Sequence, residues 1–166
     1  MRDGVEPGVW ADLGSGEGAF TMALADLLGP GAEIHSVDRD RGALRRLRED
    51  LPDRFPEARV TVQAADFTQP LQLPPLDGVL MANSLHFQRR PLPVLELVAS
   101  YLKPGGRLLL VEYNSDRGNP WVPYPISYPA WERLAAQAGL QSTRLLATIP
   151  SRHLREIYSA LSRKPA

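Results

Sequence analysis

The chain has 166 residues, with 19 basic and 19 acidic side chains, so its formal net charge is zero and its pI is about 6.8. That length favours one domain with its own buried core, and neutrality argues against a broad electrostatic footprint for nucleic acid or an anionic membrane. No cysteine is present, which excludes disulfides, thiolate metal sites and a cysteine nucleophile. Met1–Gly4 lacks the apolar core of a signal peptide and no apolar run approaches a bilayer span, so a cytoplasmic chain is expected. Among the basic residues only Lys103 and Lys164 are lysines.

The most informative stretch comes first. Val9 to Ala19 reads as a short apolar strand carrying Asp12, followed by glycines at 14, 16 and 18 and a helix over Phe20 to Leu28. Glycine permits positive φ and close approach of a ligand to the backbone, and the helix start offers free N–H donors. A nucleotide-like ligand is the first reading. Gly14, Gly16 and Ala19 also satisfy the G-x-G-x-x-G/A fingerprint of dinucleotide binding, and a glycine turn that binds nothing is the plain alternative.

Leu24, Leu27 and Leu28 give the first helix its apolar face, and Gly29-Pro30 ends it. Glu33 to Asp38 is a second strand closing on an acid. A helix over Arg41 to Leu51 is expected to stop at Pro52. Arg59 to Ala65 is a third strand, followed by Asp66. Leu76 to Ala82 is nearly continuous apolar sequence, as expected of a strand buried on both faces. A helix starts near Pro91 to Pro93, Lys103 to Gly106 breaks it, and Arg107 to Glu112 is a fifth strand. Strands alternating with helices imply right-handed crossovers and a parallel sheet, with ligands at the carboxyl ends of the strands. Tyr113 to Tyr128 reads as a long, proline-rich loop of the kind that is often functional. A helix through Trp131 and Ala138 and a strand over Leu140 to Ile149 follow. The last segment fits either helix or strand.

Four motifs in order carry a family resemblance. They are Asp12-Leu13-Gly14-Ser15-Gly16-Glu17-Gly18, Asp38 at the second strand end, Ala65-Asp66-Phe67 after the third, and Leu102-Lys103-Pro104-Gly105-Gly106 running into Arg107–Glu112. Together the chain resembles the class I S-adenosylmethionine-dependent methyltransferases from about Val9 onward. The resemblance implies an α/β fold, a three-layer αβα sandwich around a seven-stranded, mostly parallel sheet of order 3-2-1-4-5-7-6 with the last strand antiparallel. It places a strand near Ile157 to Ser162.

The same resemblance implies S-adenosyl-L-methionine as cofactor; no metal is expected, and a small organic molecule is the acceptor that remains by default once other classes are weighed. The expected cofactor-binding set is Asp12, Gly14, Ser15, Gly16, Gly18, Asp38, Arg39, Asp66, Phe67, Asn83 and Ser84. Asp38 would accept from both ribose hydroxyls, or alternatively cap the helix that begins near Asp40. Asp66 would meet the adenine amino group, or be a solvated turn acid. Phe67 would lie against the adenine ring, or belong to the core. Asp12 would orient the glycine turn or meet the ligand's amino group. His86 is the candidate catalytic base, a structural or site-lining histidine being the other reading.

The acceptor is narrowed by elimination. In related enzymes cytosine C5 chemistry uses a cysteine, absent here; the ribose methyltransferases resemble one another in two catalytic lysines, whereas Lys103 and Lys164 sit before the fifth strand and in the tail; and catechol-type enzymes have neighbouring carboxylates where this chain has Asn83 and Ser84. Asn119 to Tyr124 looks like the segment of amino-methylating nucleic-acid enzymes but follows the wrong strand. Only Met1 to Gly8 precedes the first strand, so a single domain over residues 1–166 is expected with the 113–128 loop as lid, or a homodimer covering the site. A non-catalytic cofactor-binding subunit and an NAD-binding protein are the rival functions.

Overall fold

The structure, a computed structural model, describes all 166 residues, Met1–Ala166. One sheet contains β1 (Val9–Leu13), β2 (Glu33–Asp38), β3 (Arg59–Ala64), β4 (Leu76–Ala82), β5 (Leu102–Tyr113), β6 (Gln141–Pro150) and β7 (Glu156–Arg163). Their order is 3-2-1-4-5-7-6. The first five strands are parallel to their neighbours, and β7 is antiparallel to both β5 and β6. This is the α/β architecture that the resemblance implied, including the strand in the tail.

Helices α1 (Ala19–Leu28), α2 (Arg41–Arg54), α3 (Pro91–Tyr101) and α4 (Tyr128–Gln137) cover the two faces. Strand side chains alternate between these faces, which is why the central strands are apolar almost throughout. In β5, Leu108 and Leu110 join a core with Val94, Val98 and Trp131 of α3 and α4. Leu109 and Val111 point the other way, into a core with Trp10 and with Leu24 of α1. Leu44, Leu47 and Leu51 of α2 form a third cluster beside β3.

Three boundaries differ from expectation. Helix α2 runs through Pro52 to Arg54 rather than stopping before it. Proline removes only the N–H that would reach the Arg48 carbonyl, a small loss in an exposed last turn that ends with Phe55 N–H bonding to Leu51 O at 2.8 Å. Lys103 to Gly106 is not a break between elements. Leu76 pairs with Leu102 and Gly78 with Arg107, so Asp77 alone opposes four residues in a wide bulge of β5. Lys103 Nζ holds that bulge by bonding both Asp77 oxygens, at 2.9 and 2.8 Å. Finally, Tyr128 begins α4 rather than ending a loop.

The carboxyl ends of β1, β2 and β4 meet at one edge, and the chain returns there repeatedly. Everything described next lies at that edge.

Candidate active site

Beyond β1 the chain turns sharply. Gly14 and Ser15 both donate backbone N–H groups to Val37 O, at 2.8 and 3.1 Å, which pins the turn to the end of β2. Gly14 has φ +83, and a Cβ there would run into the side chain of Ser84. Gly18 is also left-handed at φ +85, but a Cβ there would strike Leu47, so this glycine lets the start of α1 lie against α2 rather than facing the turn's open side. Gly16 donates its N–H to Asp38 Oδ2 at 2.8 Å, and Asp38 Oδ1 accepts from Asp40 N–H at 2.8 Å. The helix cap itself is Asp40, whose Oδ1 accepts from Gly42 and Ala43. Asp38 therefore braces the turn, and capping is not its task.

Beneath the turn lies Asp12, 1% exposed. Thr21 Oγ1 donates to Asp12 Oδ2 at 2.6 Å, and Ser36 Oγ, 3.2 Å from Thr21, is left to donate to Thr21. Burial pushes the Asp12 carboxyl up to about 7, against the opposing pull of the Thr21 bond; the Asp38 charge adds to the rise. Asp12 Oδ1, Ser15 Oγ and Asn83 Oδ1 are all buried without a hydrogen-bond partner. Native proteins rarely leave such atoms unpaired. Of the six in this chain, the others being His35 Nε2, Trp131 Nε1 and Tyr158 OH, these three gather here.

Next to them is a cavity of about 510 Å³. Gly14, Asp38 and Arg39 form one wall, Asp66 and Phe67 a second, and Asn83 and Ser84 a third. Of the residues expected to bind a cofactor, these seven line the space, while Asp12, Ser15, Gly16 and Gly18 stand behind it. Asp66 sits in an exposed turn where Oδ1 accepts the Thr68 N–H and hydroxyl, at 2.9 and 2.8 Å, and these bonds lower its carboxyl below the usual range. Ser84 Oγ is committed to Leu13 O at 2.8 Å. Asn83 takes φ 52, an uncommon left-handed conformation for a residue other than glycine.

Thr68, Phe87 and Gln88 also line the cavity and were not expected to. Thr68 had a local signal, since an acid followed two residues later by threonine favours a side-chain-bonded turn. Phe87 and Gln88 had none: they lie in and just after a single 3-10 turn, Leu85–Phe87, whose tight winding puts His86 inside and Phe87 outside.

His86 does not line the cavity. It is 3% exposed, and its Nδ1 lies 2.9 Å from Glu112 Oε2, a carboxylate with no exposure. The same carboxylate accepts the backbone N–H groups of His86 and Tyr113, each at 3.1 Å. Sequence reasoning passed over Glu112 because it closes an apolar run as an ordinary strand-terminal residue would. On its other side, His86 O accepts the Tyr124 N–H at 3.0 Å. Thus the 113–128 segment is moored to the turn that carries Phe87. Within it Asn119 Oδ1 accepts from Trp121 and Val122, Val122 and Ile126 are buried, and Trp121 is 76% exposed.

Known proteins resemble this chain in sequence and in fold. Residues 9–147 match the methyltransferase domain family. The chain is 33% identical over 120 residues to the ubiquinone/menaquinone biosynthesis C-methyltransferase UbiE of Ectopseudomonas mendocina, a match covering 70% of this chain and 46% of that protein. It is 31% identical over 134 residues to the release factor glutamine methyltransferase of Moorella thermoacetica, covering 65% of this chain and 46% of the relative. The chain thus spans about half the length of the curated relatives it matches. Among solved structures, the Burkholderia thailandensis 1,6-didemethyltoxoflavin-N1-methyltransferase, with 1,6-didemethyltoxoflavin and S-adenosylhomocysteine bound, superposes with a TM-score of 0.76 at 20% identity, covering 97% of this chain and 72% of that one. An Aquifex aeolicus S-adenosylmethionine-dependent methyltransferase superposes with a TM-score of 0.74 at 19% identity, covering 98% and 85%. With the glycine turn, the strand-end acids and 139 consecutive residues, 9–147, all in agreement, the chain belongs to the methyltransferase domain family.

Proposed function

We propose that the chain binds S-adenosyl-L-methionine in the 510 Å³ cavity and transfers its methyl group to a small organic acceptor. The observation that carries this reading is the set of unpartnered polar atoms behind the glycine turn, Asp12 Oδ1 and Ser15 Oγ above all. An α-ammonium group is a suitable partner for the free oxygen of a buried carboxylate, and an empty turn or a plain dinucleotide would leave Asp12 Oδ1 unpaired. The donor and acceptor set fits the cofactor elsewhere too. Asp38 at the tip of β2 has the position and oxygens to take ribose hydroxyls once Gly16 yields its bond. Asp66 and Phe67 offer an acceptor and an aromatic face for an adenine ring.

When bound, the cofactor supplies a methyl group on a cationic sulfur, open to in-line attack by a lone pair. The chain's own contribution is alignment, which alone supplies much of the barrier reduction when two reactants are held together. Asn83 and Ser84 wall the space in which the acceptor meets the methyl group. His86 and Glu112 act in this reading as a buried post that fixes the Phe87 turn and moors the 113–128 segment, rather than as a proton-transfer pair at the reacting atoms. That segment closes the site from the Phe87 side, as a lid hinged on the Tyr124 to His86 bond.

The two curated relatives carry names that point to different acceptors, one in quinone biosynthesis and one a release-factor glutamine. Neither acceptor is carried over. A screen for release of S-adenosylhomocysteine over a panel of phenols, quinols, amines and carboxylates tests the assignment; turnover with at least one small acceptor is expected. Turnover lost on deleting residues 121–124, with S-adenosylhomocysteine binding kept, is the expected behaviour of a lid, and unchanged turnover removes that role.

A further inference from the structure

A second cavity, of about 230 Å³, lies at the same sheet edge on the α1 face. Met1 and Phe20 close it from outside, and Val111, Ala147, Ile149 and Ile157 form its floor on β5, β6 and β7. Seven of its ten lining residues are hydrophobic, and none is Asp, Glu, Lys or Arg. The first cavity is its opposite, with Asp38, Arg39 and Asp66 on its walls and three hydrophobic residues of eleven. One residue belongs to both: Asn83, whose Oδ1 is buried without a partner. Ile149, on the rim, is 58% exposed, a large apolar surface left open beside an apolar recess.

We infer that this apolar cavity is the acceptor subsite, and that it takes a small, uncharged, largely apolar molecule carrying one O–H or N–H donor for Asn83. The inference rests on the reading of the first cavity as the cofactor site. Three features lead to the substrate class. With no charged side chain in the lining, a charged molecule would be desolvated there without a side-chain counter-ion. The volume suits one or two fused rings and excludes a folded polypeptide segment. Asn83 is the residue shared with the first cavity, and its unpartnered acceptor calls for a donor there, while the unpartnered Tyr158 hydroxyl offers a second polar contact deeper in the lining. A group held there faces the methyl donor while its apolar body lies on Ile149 and Ile157.

The probe is 1-naphthol, a neutral bicyclic phenol, titrated into the full chain with methyl-resolved NMR as readout. The expected result is a saturable shift of the Ile149, Ile157 and Val111 methyl signals, at least tenfold weaker affinity for naphthalene-1-sulfonate, and weaker affinity for 1-methoxynaphthalene, which has no donor. Ile149→Glu should weaken 1-naphthol at least tenfold and leave the calorimetric affinity for S-adenosylhomocysteine within twofold. Retained affinity for S-adenosylhomocysteine also shows that the variant is folded. Naphthol binding that spares those methyls, equal affinity for the sulfonate or the ether, or undiminished binding to Ile149→Glu overturns the subsite. Failure of S-adenosylhomocysteine to bind the unaltered chain is a separate result and strikes the cofactor reading instead.

Discussion

Two sides of the same sheet edge handle buried polarity in opposite ways. Around the glycine turn, Asp12, Ser15 and Asn83 each keep a buried oxygen without a partner. A few residues away, Glu112 satisfies both its oxygens with His86 Nδ1 and with the backbone of His86 and Tyr113. The first side leaves hydrogen-bonding capacity unused and the second uses its own. Burial alone does not separate the two sides, since both are buried; the clustering does, because Asp12, Ser15 and Asn83 lie together whereas the other unpartnered buried atoms, His35 Nε2, Trp131 Nε1 and Tyr158 OH, are scattered. That difference moves the functional weight from His86 to Asp12.

The sharpest way to break this contrast is Asp12→Asn. The amide keeps the Thr21 bond and loses the charge that would meet an ammonium group, and hydrogen bonds to charged groups contribute roughly 1.5–3 kcal/mol, so S-adenosylhomocysteine affinity should fall by roughly 10- to 150-fold. Stability should move the other way. The folded Asp12 carboxyl keeps its proton up to about pH 7, whereas the unfolded one releases it near 3.8. Asp12 therefore stabilises the ligand-free fold most at low pH, loses that contribution as pH rises toward 7, and contributes nothing further above it. At pH 8 the ligand-free Asn variant should melt no lower than the unaltered chain. Ligand affinity should instead fall as pH drops below 7, because the ammonium partner needs the ionised form. Calorimetry across pH 6 to 8 and thermal melts check both signs.

Glu112→Gln tests the other side. It replaces one acceptor oxygen by an amide N–H that faces the donors of His86 and Tyr113, and a buried donor left unpaired costs about 1–3 kcal/mol. A domain of this size loses roughly 2–4 °C per kcal/mol, so melting should fall by roughly 2–12 °C. S-adenosylhomocysteine affinity should stay within about threefold for whatever fraction is folded. A variant that melts normally but no longer binds would place the pair in the ligand site.

Smaller effects grade the cavity itself. Asp38→Ala removes the acceptor of Gly16 and Asp40 N–H groups as well as a ribose partner, and should weaken S-adenosylhomocysteine about tenfold, on the scale of one charge-assisted hydrogen bond. Asp66→Ala, in an exposed turn already tied to Thr68, should weaken it by only about two- to fivefold, as water screens its contribution. Equal losses at the two acids would show that the adenine end is held as firmly as the ribose end.

The contrast also separates what the sequence made legible from what it did not. Glycine turns, strand-end acids and apolar runs are local signals, and they placed β1 to β4, the Asp38 tip and the Asp66 turn correctly. The tail fitted helix and strand equally by periodicity, and only the family likeness resolved it into β7. What escaped is non-local. Glu112 meets His86 across 26 residues of chain, and Lys103 meets Asp77 across 26, so neither the buried pair nor the β5 bulge is written in neighbouring residues. The need for glycine at position 18 is likewise non-local, since a Cβ there would strike Leu47 on another helix.

The central claim is that the glycine-turn side is built for an amino-acid-bearing adenosine ligand. Calorimetric titration with S-adenosylhomocysteine, 5′-methylthioadenosine and NAD tests it directly, because methylthioadenosine keeps the adenosine and lacks the ammonium and carboxylate. The account predicts one-site binding of S-adenosylhomocysteine, at least tenfold weaker binding of methylthioadenosine, and no binding of NAD. Equal affinity for the first two ligands, or binding of NAD alone, contradicts it.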